Sequence, residues 1–140
     1  MKQLIIAFIF CICTPLLAQH TFSICAVDPV TGEVGSAGAS CIENSIIISD
    51  VHPGVGVIHT QAYYTGANQN IAEDLMDLGI APADIIDSMI VNDIAGNPTI
   101  RQYGIVDLVD GGRSAAYTGE SCSDWKGHLT GTTNAIQGKI

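Results

Sequence analysis

Basic side chains are scarce in this sequence, with 5 Lys and Arg against 14 Asp and Glu among 140 residues and a formal charge of −9. A surface that acidic repels polyanions, which excludes nucleic acid as a partner. Metal-binding patterns are missing as well: there is no Cys-x-x-Cys pair, and His20, His52, His59 and His128 are scattered. Neither a zinc site nor any cofactor is expected. Internal repeats and low-complexity tracts are absent, and so is an apolar run long enough to cross a bilayer comfortably. The run from Leu4 to Cys13 is short, follows Lys2 and leads into Pro15-Leu16-Leu17-Ala18-Gln19. Positive charge, apolar stretch and small residue in that order read as a signal peptide over residues 1–19, ahead of one domain over residues 20–140. The expected location is secreted or periplasmic, with no membrane attachment once the leader is gone.

Beyond the leader stand Cys25, Cys41 and Cys122. Their odd number leaves two arrangements open, one bridge with a free thiol or three buried thiols. A cysteine nucleophile is a further alternative, although no Cys has a His and an acid beside it in sequence.

Thr21 to Val27 alternates like a strand, with Phe22, Ile24 and Ala26 on one side and Ser23, Cys25 and Val27 on the other. Asp28-Pro29-Val30-Thr31-Gly32 turns the chain into a second strand, about Glu33 to Ser40. Its content of Gly35, Ala37, Gly38 and Ala39 implies close approach by another layer or a ligand. Ile46-Ile47-Ile48 reads as a buried strand, and Val57 to Ala62 as the next. The period then changes. Ile71, Leu75 and Leu78 recur at helical spacing from Gly66 to a stop at Gly79, and Pro82 opens a second helix with Ile85, Ile86, Met89 and Ile90 as its buried stripe. Ile100 to Leu108 and Arg113 to Thr118 form a hairpin around Asp110-Gly111-Gly112. A looser segment, residues 119–133, holds Trp125 as an expected core anchor, and a short strand runs from Asn134 to Gln137. Strands, two consecutive helices, then strands indicate an α+β fold with antiparallel pairing.

Several motifs in this order, Thr21-Phe22-Ser23-Ile24, Asp28 to Gly35, Thr60-Gln61-Ala62, Arg101 to Asp107, Thr118-Gly119-Glu120, Trp125-Lys126-Gly127-His128 and Ile136-Gln137-Gly138, resemble a bacterial family. It is domain of unknown function 1028 (DUF1028), grouped with the Ntn-hydrolase (N-terminal nucleophile) superfamily. The resemblance implies a four-layer αββα sandwich with an N-terminal threonine on a central strand as nucleophile. Relatives continue past the Gln-Gly motif, commonly with Asn next, whereas Lys139 and Ile140 stand here, so the resemblance implies a sandwich shortened at its C-terminus.

The expected chemistry is cleavage of an amide bond in a small peptide or cell-wall-derived substrate. Thr21 supplies the hydroxyl and, once the His20–Thr21 bond is broken, the α-amine that serves as its base. Gln61 and Thr60, with Ser36 and Ser40 on the glycine-rich strand, are candidates for binding a developing oxyanion or the substrate. Arg101 is a candidate anchor for a carboxylate, with pairing to an acidic side chain as its alternative, and His128 is a candidate for orienting substrate. Oligomeric state is left open. The rival readings are a non-catalytic peptide- or muropeptide-binding module on the same fold and an inactive shortened product.

Overall fold

The computed structural model describes residues 20–140, so the leader reading lies outside the described residues. Eight strands and two helices occur in the order β1 (Thr21–Asp28), β2 (Glu33–Ser40), β3 (Ser49–His52), β4 (Gly56–Gln61), α1 (Gly66–Asp77), α2 (Pro82–Val91), β5 (Gln102–Asp107), β6 (Arg113–Thr118), β7 (Lys126–Thr130) and β8 (Asn134–Lys139). They form two four-stranded sheets, β2-β1-β8-β7 and β3-β4-β5-β6, and every pairing is antiparallel. The sheets face each other with β1 over β4 and β8 over β5.

The helices cover the outer face of the second sheet. Thr65 caps α1 by accepting from the Asn68 N–H at 3.3 Å, and Gly79 (φ 73°) ends it with its N–H on the Met76 carbonyl at 2.8 Å. Pro82 fits the first turn of α2, where its missing N–H would have had no partner within the helix. Ala72, Met76, Ile85, Ile86 and Met89 pack on Ile58, Tyr103 and Ile105, which alternate along β4 and β5 toward the helices. The residues between them, Val57 and Val106, turn the other way and meet Cys25, Val27 and Ala135 from the first sheet.

Three expectations change. Ser45–Ile48 is a 3-10 turn rather than a strand, preceded by Asn44 in the left-handed region at φ 63°. This segment must carry the chain from β2 in one sheet to β3 in the other, and only Ile48 is buried, while Ile46 is 72% exposed. The looser segment contains β7, whose pairing with β8 is set by long-range register rather than by local alternation. Trp125 is 60% exposed on the outer side of the first sheet, so it anchors no core.

On β2, Ile48 approaches Gly38, where an added Cβ would sit 3.3 Å from Ile48 Cδ1, while Gly35 has open space around it. The layer approach inferred from composition therefore holds at one of these two glycines.

A candidate nucleophile pocket at one end of the sheet interface

Alternation along β1 turns Thr21, Ser23, Cys25 and Val27 inward. Thr21 is the first of these, at the sheet end, and lines a cavity of about 300 Å³ together with Ser40, Cys41, Gln61, Tyr63 and Lys139. Its hydroxyl lies 2.8 Å from that of Ser40, its opposite residue on β2. On the other side of β1, Lys139 is its opposite residue on β8. A threonine 6% exposed yet fronted by a cavity is held still by its sheet and remains within reach of a ligand.

Behind Thr21 runs a chain of amides. Ser23 Oγ donates to Gln61 Oε1 at 2.7 Å, and Gln61 Nε2 donates to Gln102 Oε1 at 2.9 Å and to the Thr21 carbonyl at 3.4 Å. Gln102 Nε2 in turn reaches the Gly138 carbonyl at 3.0 Å and Thr118 Oγ1 at 3.1 Å, and His128 Nδ1 lies 2.9 Å from that same hydroxyl. Both amide hydrogens of Gln61 are thus committed, which makes it a brace for the Thr21 backbone rather than a donor to an oxyanion. A Cβ at Gly104 would meet the terminal amide of Gln137 and oblige that side chain to move.

Ala62 and Tyr63, which follow β4 on the rim of the cavity, both take left-handed backbone at φ 58°. Two such non-glycine residues in a row are held against a cost of about 1–3 kcal/mol each. Part of the restraint comes from Arg101, whose Nη1 donates to the Tyr63 carbonyl. Arg101 Nε is fixed by Asp93 Oδ2 at 2.8 Å, and Asp93 also accepts from Asn68 Nδ2 and from the Ala95 and Asn97 N–H groups. Burial of the Asp93 carboxyl works to raise its pKa, but the Arg101 guanidinium and these hydrogen bonds outweigh it and hold the group well below the usual carboxylate range.

The structure thus brings Thr21, Ser40 and Gln61 together and sets the other expected site residues apart from the cavity. Thr60 faces the opposite way and donates to Gln69 Oε1 on α1 at 2.8 Å, as strand alternation requires of the neighbour of Gln61. Arg101 pairs with an acid, its stated alternative, and touches the pocket rim only through Tyr63. His128, opposite Gln137 in the register, faces the second sheet and meets Thr118 Oγ1 at 2.9 Å, outside the Thr21 cavity, while Phe22, Ile24, Leu129 and Ile136 line an apolar trough of about 610 Å³ on the outer face of the first sheet. Ser36 bonds to Ser49 away from the cavity, with 2.5 Å between the hydroxyl oxygens.

The sequence did not point to Lys139, Cys41, Ala62 and Tyr63 as residues around the Thr21 cavity. The only signals near them were the Thr-Gln-Ala motif and the placement of Lys139 after Gln-Gly.

Cys25, Cys41 and Cys122 are all free, the first and last buried and Cys41 exposed, so neither cysteine arrangement drawn from composition occurs. Burial pushes the Cys25 thiol up to about 12 and raises that of Cys122, which leaves both poor nucleophiles. Among the described residues, no group of three or more His, Cys, Asp or Glu is placed to hold a metal, and no helix is long and apolar enough to cross a membrane.

A family model described as a family of unknown function, DUF1028, matches residues 21–140. A crystal structure of a DUF1028 protein from Silicibacter pomeroyi superposes with a TM-score of 0.76 at 26% identity, and the match covers 86% of this chain and 53% of that one. The chain spans about half the length of that relative. No curated protein matches.

Proposed function

This chain belongs to the DUF1028 family, and on that premise we propose that it is an amide-bond hydrolase of Ntn type with Thr21 as nucleophile. The observation that carries the reading is Thr21 in the wall of a cavity, its hydroxyl bonded to that of Ser40 and its backbone carbonyl to Gln61.

With the His20–Thr21 bond broken, the unprotonated α-amine of Thr21 takes the Oγ proton as Oγ bonds to the substrate carbonyl carbon. The proton passes to the departing amine as the C–N bond breaks. Water then hydrolyses the Thr21 ester and restores the hydroxyl. A free α-amine ordinarily titrates at about 7.7–8.0, so the unprotonated base is available near neutrality. The cavity, about 300 Å³, is sized for a short peptide or cell-wall-derived fragment.

The αββα architecture is part of the same reading. Two facing sheets with helices over one of them make three of its four layers. The outer face of the first sheet leaves Phe22 45%, Ile24 38%, Trp125 60% and Leu129 72% exposed, an apolar surface of the kind a fourth, helical layer buries. The greater length of the Silicibacter relative supports such a layer in the family. Export to a secreted or periplasmic location goes with the leader reading of residues 1–19.

A fluorescent β-lactone, which acylates activated hydroxyls, tests the reading. Wild-type protein is expected to label at Thr21, and Thr21→Ala to reduce labelling at least ~10³-fold with its melting curve unchanged. An equal rate in the variant removes Thr21 as the nucleophile. Absent labelling with peptide binding indifferent to Thr21→Ala assigns the fold to a binding module instead.

A further inference from the structure

The hydrolase reading names one base, the α-amine, and that base exists only after cleavage at Thr21. Resting on that reading, we infer that Lys139 is a second amine base for the Thr21 hydroxyl, one that works while the His20–Thr21 bond is intact.

The warrant is the register of the sheet. Thr21 stands directly between Ser40 on β2 and Lys139 on β8, so the three side chains form one row across the inner face. Directly opposed residues in an antiparallel pair hold their Cβ atoms about 5 Å apart, a span that the four-carbon stem of lysine covers. Lys139 is 3% exposed, a degree of burial that lysine rarely has, and it lines the same cavity as Thr21. Lys139 is the cation next to Thr21 on this row, with Lys126, which pairs with Asp124, beyond it on β7.

In the proposed step, neutral Lys139 Nζ accepts the Oγ proton while Oγ forms its bond to the substrate carbonyl carbon. The resulting ammonium returns the proton to the leaving amine as the C–N bond breaks, and water completes the cycle by hydrolysing the ester. The Ser40 hydroxyl, 2.8 Å from Thr21 Oγ1 on the β2 side, fixes the threonine rotamer.

The test uses the full chain with an intact His20–Thr21 bond, verified by intact mass, and the fluorescent β-lactone as probe. This form is expected to label at Thr21 at a rate that rises with pH. Lys139→Met lowers the rate by about 10²-fold or more and removes the pH-dependent rise. Lys139→Arg does not restore it, because a guanidinium keeps its charge but gives up no proton in this range. Labelling of the cleaved form alone, or Lys139→Met labelling at the wild-type rate, overturns Lys139 as base and leaves the α-amine mechanism standing. Absence of labelling in every form, or equal labelling of Thr21→Ala, sinks the hydrolase reading and this inference with it. Should Lys139→Met fail to fold, the Lys139 Cε resonance in ¹³C-lysine-labelled wild-type protein is followed against pH before and after acylation. A titration unchanged by acylation overturns the inference.

Discussion

Between the two sheets, the same four strands build two different interiors. At one end, Cys25, Val27, Val57, Val106 and Ala135 close into an apolar cluster. At the other, Thr21, Ser23, Gln61, Gln102, Gln137 and Lys139 fill the equivalent inward positions with hydroxyls, amides and an amine, all nearly buried. Steps of two residues along β1, β4, β5 and β8 separate the ends, so neither backbone geometry nor depth distinguishes them. Only side-chain chemistry does. The apolar end gains from removal of surface from water, while at the polar end the bonds among Ser23, Gln61 and Gln102 tie those groups to specific partners and favour one arrangement, the buried Gln137 amide having no hydrogen-bond partner. An end that favours one arrangement can hold Thr21, Ser40 and Gln61 in fixed relation.

The sharpest break in this contrast comes from the rim of the polar end. Asp93→Ala strands the buried Arg101 guanidinium without its carboxylate and frees the turn at Tyr63, and it is expected to destabilise the protein by about 3–5 kcal/mol in urea titration. In the wild type, the depressed Asp93 pKa gives stability that is complete above the ordinary aspartate range and disappears as pH falls well below it.

Next in size is His59, which sits between Val57 and Gln61 where the two interiors meet. It is fully buried, neither ring nitrogen has a hydrogen-bond partner, and burial lowers its pKa from 6.5 to about 4. The unfolded chain therefore takes up a proton below pH 6.5 that the folded chain refuses until about pH 4. Stability is fully present above pH 6.5, falls by about 3 kcal/mol as pH drops through that window, and changes no further below it on this group's account. His59→Leu is expected to flatten the dependence of urea midpoint on pH between these limits.

Smallest in stability, but most direct in separating the two ends, is a matched pair. Val106→Ala is expected to cost about 2 kcal/mol and leave the rate of β-lactone labelling unchanged. Gln61→Ala, which strands the Ser23 hydroxyl and Gln102 Oε1, is expected to cost about 1–3 kcal/mol and to slow labelling as well. Equal slowing by both variants would show that the two ends act as a single interior.

Local periodicity made much of the fold legible. Ile71, Leu75, Gly79 and Pro82 marked the helices and their limits, the alternation of β1 and β5 placed those strands, and the turn at Asp110-Gly111-Gly112 placed β6. The isoleucine run at 46–48 misled because β-branching favours strands without specifying where the chain must change sheets. Lys126–Thr130 escaped because only its pairing with β8 makes it a strand. At the site, Thr21, Ser40 and Gln61 could be chosen from their side chains and motifs. Thr60 could have been set aside from sequence alone, since the neighbour of Gln61 on a strand faces the other way.

What the amino-acid order determined by itself was the period of each segment, its turns and caps, and the pairing of an acidic composition with a threonine at the start of the first strand. Tertiary structure decided which face of each central strand turned inward, that Arg101 would serve Asp93, and that Lys139 would come to rest opposite Thr21. The division has a physical cause. Periods and turns follow from sterics and solvation over a few neighbouring residues, whereas strand register between distant segments depends on how two whole sheets pack, and a shift of one residue would reverse every side chain in the row.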